Sequence, residues 1–372
     1  MLSREDAPAR HRGRLTTMQG AALYVGAVLG TGVIALPALA AQAAGPASLL
    51  AWLGLVVLSV PLALTFAALG ARFPDAGGVS TYVRKAFGPK AAAVVGWCFY
   101  FAVPMGAPAA ALFAGAYVAA ALGGDSRTAL LTAALLIVVV TAVNMFGVTV
   151  SGRMQLMLTV LLVGLLLTAV VASVPHARTE NLQPFAPNGW LAIGPAAALL
   201  VWSFAGWEAI THLAADFRRP ARDLPRAAMI AVVVVGVLYL GVAAASVLVL
   251  GSAAGSTEAP LSELLTIGLG GRSQLVTAAA ALLLTFGTMN AYYAGAAKLG
   301  AALGRDDALP GWLGRGSKAG EVPRRSLAVV SGLSALSLAV VALAGVGPKP
   351  LVLLTTGAFV LVYALGTAAA LR

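Results

Sequence analysis

Charge is scarce in this chain, and acid is scarcer than base. Of 372 residues only 10% are charged, with 13 carboxylates against 24 lysines and arginines. A soluble domain of this length would need far more polar surface, so that class is excluded. A single cysteine, Cys98, rules out any intramolecular disulfide and reads as a small apolar packing residue. There is no H-E-x-x-H sequence and no pair of intramembrane aspartates. His212 lacks neighbours that would complete a metal site. No metal, no cofactor and no enzymatic chemistry are therefore expected. Low-complexity linkers and separate polar domains are also missing.

What the chain has in abundance is apolar residues, 60% of the total, at a mean hydropathy of +0.92. They arrive in runs of about 20 or more, the length that crosses about 30 Å of hydrocarbon. The pattern predicts ten spans: Met18–Ala41, Ser48–Leu69, Ala91–Leu122, Ala129–Phe146, Met154–Val174, Leu191–Leu213, Ala227–Leu250, Leu275–Leu303, Leu327–Val346 and Leu351–Leu371. The small-residue stretch "ALAAQAAG" (Ala38–Gly45) is similar to a signal-peptide cleavage site. The preceding run is long for a signal core and is broken by glycines, so it is read as a span. Residues 1–17 then form a cytoplasmic leader and 18–372 a transmembrane domain. With the N-terminus inside, the outer segments hold only Arg127, Arg178, Arg272 and Lys349, and nearly all other basic residues fall on the inner side. This places both termini on the cytoplasmic side of the membrane. The formal charge of +11 thus records orientation rather than a nucleic-acid partner.

Ten spans divide into five and five. Because five is odd, a second unit starts on the opposite side of the membrane, giving an inverted repeat of about residues 18–174 and 191–371. Such folds carry broken helices at matching places in the two halves. Span one contains "LGTGV" (Leu29–Val33) and span six "WSFAGWEA" (Trp202–Ala209). A break is costly in lipid, and is tolerated where protein, water or ligand takes up the freed backbone groups.

A break at Gly30-Thr31-Gly32 starts a new helix near Val33, whose N–H groups and positive dipole end suit a carboxylate. Carbonyls at the end of the preceding half-helix, and of the one ending near Ser203, suit an ammonium. A zwitterionic amino acid fits both. On its own, the glycine pair better suits close helix packing; the second break turns the reading towards a site. Glu208 is the one acid well inside a span, which makes it a candidate proton-coupling group. His212 and Asp216 follow it at steps of four and read as a polar edge at the cytoplasmic mouth. Trp202, Phe204 and Trp207 flank the break, as packing or as gates. Asn290, with Thr285, Thr288 and Tyr293, forms another polar cluster, read first as interhelical hydrogen bonding.

Three segments carry a resemblance. "GTGVIALPALAA" (Gly30–Ala41), "FPDAGGVSTYVRKAFG" (Phe73–Gly88) and "HLAADFRRPARDLPRA" (His212–Ala227) resemble, in order and spacing, the amino acid–polyamine–organocation (APC) transporters. "GWCFYFAVPMGAPAAAL" (Gly96–Leu112) and "WSFAGWEAITHLAADF" (Trp202–Phe217) look like the bacterial exporters of L-methionine and branched-chain amino acids. The resemblance implies an all-α, LeuT-like five-plus-five fold with helices one and six broken, working by alternating access. It implies that Gly30, Thr31 and Gly32 receive the substrate carboxylate and the Ser203, Phe204, Ala205 and Gly206 backbone the amine, with Trp202 and Trp207 as gates. Two departures stand out. Family members usually have twelve spans, and span five here lacks the lysine of several proton-coupled relatives, its polar residues being Gln155, Thr159 and Thr168. The expected function is export of neutral aliphatic amino acids in exchange for protons. The alternatives are an importer or exchanger of the same fold, and a non-transporting amino-acid sensor.

Overall fold

The computed structural model describes residues 15–73, 78–146, 152–208, 214, 217–271, 273–315 and 323–372. Among these there is no strand; the elements are helices joined by short turns. They are α1 (Thr17–Val28), α2 (Gly32–Ala44), α3 (Ser48–Arg72), α4 (Val79–Phe87), α5 (Pro89–Leu122), α6 (Ser126–Met145) and α7 (Gly152–Ser173). There follow α8 (Ile193–Leu200), α9 (Pro220–Leu250), α10 (Pro260–Leu269), α11 (Ser273–Arg305), α12 (Arg324–Leu343) and α13 (Lys349–Leu371).

Eight stretches among the described residues are long and apolar enough to cross a membrane. They include every expected span except the first and the sixth. Those two are interrupted: α1 has 12 residues and α8 has 8, each too short to cross alone. The loop that follows Gly251 holds the short helix α10, and the loop after the second span holds a further short helix, α4.

The buried apolar residues form two main clusters. One draws on α1, α2, α3, α8, α9 and α10; the other joins α5, α6, α11 and α12. Helix α5 contributes to both. It packs so closely on α6 that a Cβ at Gly115 would stand 2.3 Å from the Ala129 carbonyl oxygen, an approach only glycine permits. Asn144 of α6 donates through Nδ2 to Asn290 Oδ1 of α11 at 2.7 Å, so Asn290 ties two helices together. Large apolar side chains such as Leu131, Val160 and Val237 remain exposed on the outer faces, where lipid would cover them.

Candidate substrate site

Helix α1 ends at Val28, and helical geometry resumes at Gly32 after the turn Leu29–Thr31. Thr31 stands at the N-cap of α2 but makes no capping hydrogen bond with its side chain. The first N–H groups of any helix have no intrahelical acceptor, so those of α2 face the break unserved by a cap. Further along, α2 contains Pro37, and Tyr117 of α5 donates its hydroxyl proton to the Ile34 carbonyl in this disturbed turn.

The second break lies directly opposite. The 3₁₀ turn Val201–Phe204 closes α8, and Ala205 turns extended at ψ 139°. Gly206 follows at φ +125°, a backbone that L side chains rarely adopt. A Cβ there would lie 2.8 Å from the Ala27 carbonyl oxygen, so the two breaks touch backbone to backbone. Gly32 in turn meets the second break: its Cβ would stand 2.5 Å from the buried Ser203 Oγ.

Between the breaks sits a narrow cavity of about 60 Å³. The two breaks contribute Val28, Gly30, Thr31, Gly32, Trp202, Ser203 and Ala205 to its lining. Helix α5 supplies Ala102, Val103, Gly106, Ala107 and Ala110; α11 supplies Thr288, Met289 and Tyr292; α13 supplies Thr355 and Phe359. No charged side chain lines it. Trp202 packs against Phe113, with ring centroids 5.5 Å apart and planes tilted by 41°.

Of the expected site residues, Gly30, Thr31, Gly32, Trp202, Ser203 and Ala205 are thus brought together. Val33, Phe204, Gly206, Trp207 and Glu208 are not among the cavity's lining. Phe204 packs against Trp52 and Tyr239, and Gly206 supports the contact between breaks. Trp207 is fully buried against Tyr24, its indole N–H donating to Ser59 Oγ at 3.1 Å. Glu208, 4% exposed, closes a loop on its own break. Its Oε2 accepts from the Gly206 N–H at 3.1 Å and from the Tyr363 hydroxyl of α13 at 2.6 Å. His212 and Asp216 lie outside the described residues.

Three participants escaped the sequence reading. Tyr239 of α9 lies 2.7 Å from both the Val28 and the Ser203 carbonyl oxygens, one from each break. A hydroxyl has one proton to give, so it donates to one carbonyl at a time. Tyr363 binds the second break to the last helix, and Phe359 one turn earlier borders the cavity. Isolated aromatics inside uniformly apolar helices offer no pattern from which such roles could be read.

Two broken helices facing a neutral cavity, in a bundle of membrane-crossing helices, are the architecture of a membrane carrier for a small solute. The sequence profile of the family described as "Amino acid permease" matches residues 15–372, nearly the whole chain. The chain belongs to this family, within the APC superfamily of transporters. It is 34% identical over 358 residues to the uncharacterized amino acid permease YecA of Bacillus subtilis, covering 96% of this chain and 84% of that protein. It is 39% identical over 225 residues to the L-methionine/branched-chain amino acid exporter YjeH of Escherichia coli, covering 60% of this chain and 53% of the exporter. The branched-chain amino acid permease BcaP of B. subtilis is 25% identical over 240 residues.

Proposed function

We propose that this protein exports neutral aliphatic amino acids, of the methionine, leucine, isoleucine and valine class, across a bacterial plasma membrane in exchange for protons. It would do so as a ten-span inverted repeat by alternating access, with both termini cytoplasmic. The observation that carries the substrate reading is the cavity lining: backbone groups of the two breaks, mostly small and apolar side chains with the neutral hydroxyls of Thr31, Ser203, Thr288, Tyr292 and Thr355 among them, and no charged side chain. The substrate carboxylate would sit on the N–H groups opening α2, beside Gly30, Thr31, Gly32 and Val33. The ammonium would take the carbonyls of Val28 and the Ser203–Gly206 backbone. An aliphatic side chain would point to Ala107, Ala110 and Phe359, where a second charge would find no partner. Trp202, at the cavity wall, is the candidate gate; Trp207 would act by packing. The name of the E. coli relative agrees with this substrate class and direction.

Glu208 is the candidate proton carrier. When ionised, its Oε2 accepts from both Gly206 and Tyr363; a proton taken up on Oε1 would leave both bonds in place but remove the charge that strengthens them. Protonation would thereby loosen the ties that hold the second break.

The test is uptake of labelled methionine and leucine into vesicles of purified protein, with and without an imposed pH gradient. Accumulation driven by the gradient is expected, and Glu208→Gln should keep substrate exchange while losing the response to the gradient. Gradient-driven flux unchanged in that variant would remove Glu208 from the coupling role. Binding without flux in folded protein would favour a sensor.

A further inference from the structure

The motif "ARDLPRA" (Ala221–Ala227) opens α9, and nothing in the proposed substrate site uses it. Its acid is placed unusually for a residue at a helix start: Asp223 is only 3% exposed. The carboxylate serves two elements at once. Oδ2 accepts from the backbone N–H of Arg219, the N-cap of its own helix, at 3.2 Å. Oδ1 accepts from the Thr17 hydroxyl at 2.9 Å, and Thr17 is the first residue of α1. Two further ties join the same ends. Leu15 pairs with Phe217 in an isolated bridge, with the Arg218 N–H donating to the Leu15 carbonyl at 3.1 Å. Gly20 lies flat on the Phe217 ring, where a Cβ would come within 2.4 Å.

Helix α1 is short and is separated from α2 by the turn Leu29–Thr31. Mechanically it is a lever about 18 Å long on a hinge of a few residues. One side of the cavity is formed by its last turn, Ala27 and Val28. Whatever holds the lever's free end therefore controls whether the cavity stays covered from the face where α1 and α9 begin.

We propose that the Thr17–Asp223 hydrogen bond is the latch that keeps this face closed, with Asp223 a positioning residue that acts on the cavity through α1. The proposal rests on the alternating-access reading above. Asp223 is suited to the task because its second oxygen is anchored to α9, so the acceptor offered to α1 is fixed in place. A hydrogen bond to a charged group is strong enough to bias a two-state equilibrium by about 10-fold or more. Small changes at the helix start would then move the population between closed and open.

The test reads accessibility and needs no transported substrate, so failure of the substrate assignment leaves it intact. A cavity reporter, Ala107→Cys, is placed in a Cys98→Ala background and labelled with a membrane-impermeant thiol reagent in vesicles of each orientation. Thr17→Val removes the hydroxyl at nearly constant shape. It should raise labelling from the face where α1 begins by about 10-fold, and lower it from the opposite face. Thr17→Ser restores the hydroxyl and should return the ratio to that of the parent. An unchanged ratio, an equal rise from both faces, or Thr17→Ser behaving like Thr17→Val would each overturn the latch. A merely structural role would lower the melting temperature without making the labelling one-sided.

Discussion

The two helix breaks both interrupt an apolar span, the first at Gly30-Thr31-Gly32 and the second at Ala205-Gly206 between aromatic side chains, yet they dispose of their freed backbone groups differently. At the second break the chain supplies its own partners. Gly206 donates to Glu208, Tyr363 donates to the same carboxylate, and Trp207 is anchored to Ser59. At the first break the Val28 carbonyl is met by the Gly30 N–H and the Tyr239 hydroxyl, but Thr31 provides no side-chain cap for the N–H groups that open α2. A break with internal partners is a built joint, whereas one left open on a cavity has its donors reserved for something else. Cost decides between them, since an unserved polar group in a water-poor interior is unfavourable by about 1–3 kcal/mol. The second break should therefore be sensitive in stability and the first in ligand binding.

The strongest way to break this comparison is Gly206→Ala. The substitution forces a side chain onto φ +125° and places it 2.8 Å from the Ala27 carbonyl oxygen. Backbone strain of this kind amounts to about 1–3 kcal/mol, and the contact with an immovable carbonyl adds to it. The melting temperature should fall by several degrees, with binding of methionine lost along with the native fold. A variant that melts like the parent would show that the joint is not the stability-determining contact described here.

Gly32→Ala should have a smaller effect, and of a different kind. The new methyl would meet Ser203 Oγ at 2.5 Å, a hydroxyl that can rotate away, so the fold should survive with little change in melting. Methionine affinity should drop by roughly 10- to 100-fold, the equivalent of one hydrogen bond to a charged group. Adding Ser203→Ala sharpens the result. If affinity stays low once the colliding oxygen is gone, the loss comes from blocked approach to the α2 N–H groups. Recovery in the double variant would mean that displaced Ser203 was the cause, and would shift the carboxylate away from Gly32.

Much of this architecture was legible in the sequence because lipid imposes a simple rule. Every span must be apolar for about 20 residues, and any lapse in helix formers is conspicuous. Hence Gly30 and Gly32 could be placed at a break, and Ser203 opposite them, before any coordinates. The partners of the second break were not legible. Tyr363 lies far from Glu208 along the chain and close in space, and nothing in its neighbourhood sets it apart from other membrane aromatics. Trp207 shows the opposite failure. Its position beside a break suggested a gate, but burial obliges an indole N–H to find an acceptor, and Ser59 fixes the ring within the bundle. The interruption of spans one and six was similarly visible, as was the connection between Ala41 and Ser48, where the short turn Gly45–Ala47 joins α2 to α3.

The finest probe of the comparison is Gly30→Ala, because this glycine has no steric reason to be one. A Cβ there would find only the Val28 carbonyl oxygen at 4.0 Å and otherwise open space, and Gly30 itself borders the cavity. If the first break were a packing contact, Gly30 would be pressed against a neighbour as Gly32 and Gly206 are, and alanine would destabilise. Because it is not, alanine should leave the melting temperature unchanged or slightly higher, since it restricts the unfolded chain by about 0.4–1 kcal/mol. The methyl group instead takes up part of a cavity of about 60 Å³, so the cost should appear in the ligand: a KM for methionine raised a few-fold, with maximal exchange rate nearly unchanged. Steady-state exchange in vesicles, set beside a thermal melt, separates the two. A fall in stability with unchanged KM would make the first break a joint like the second.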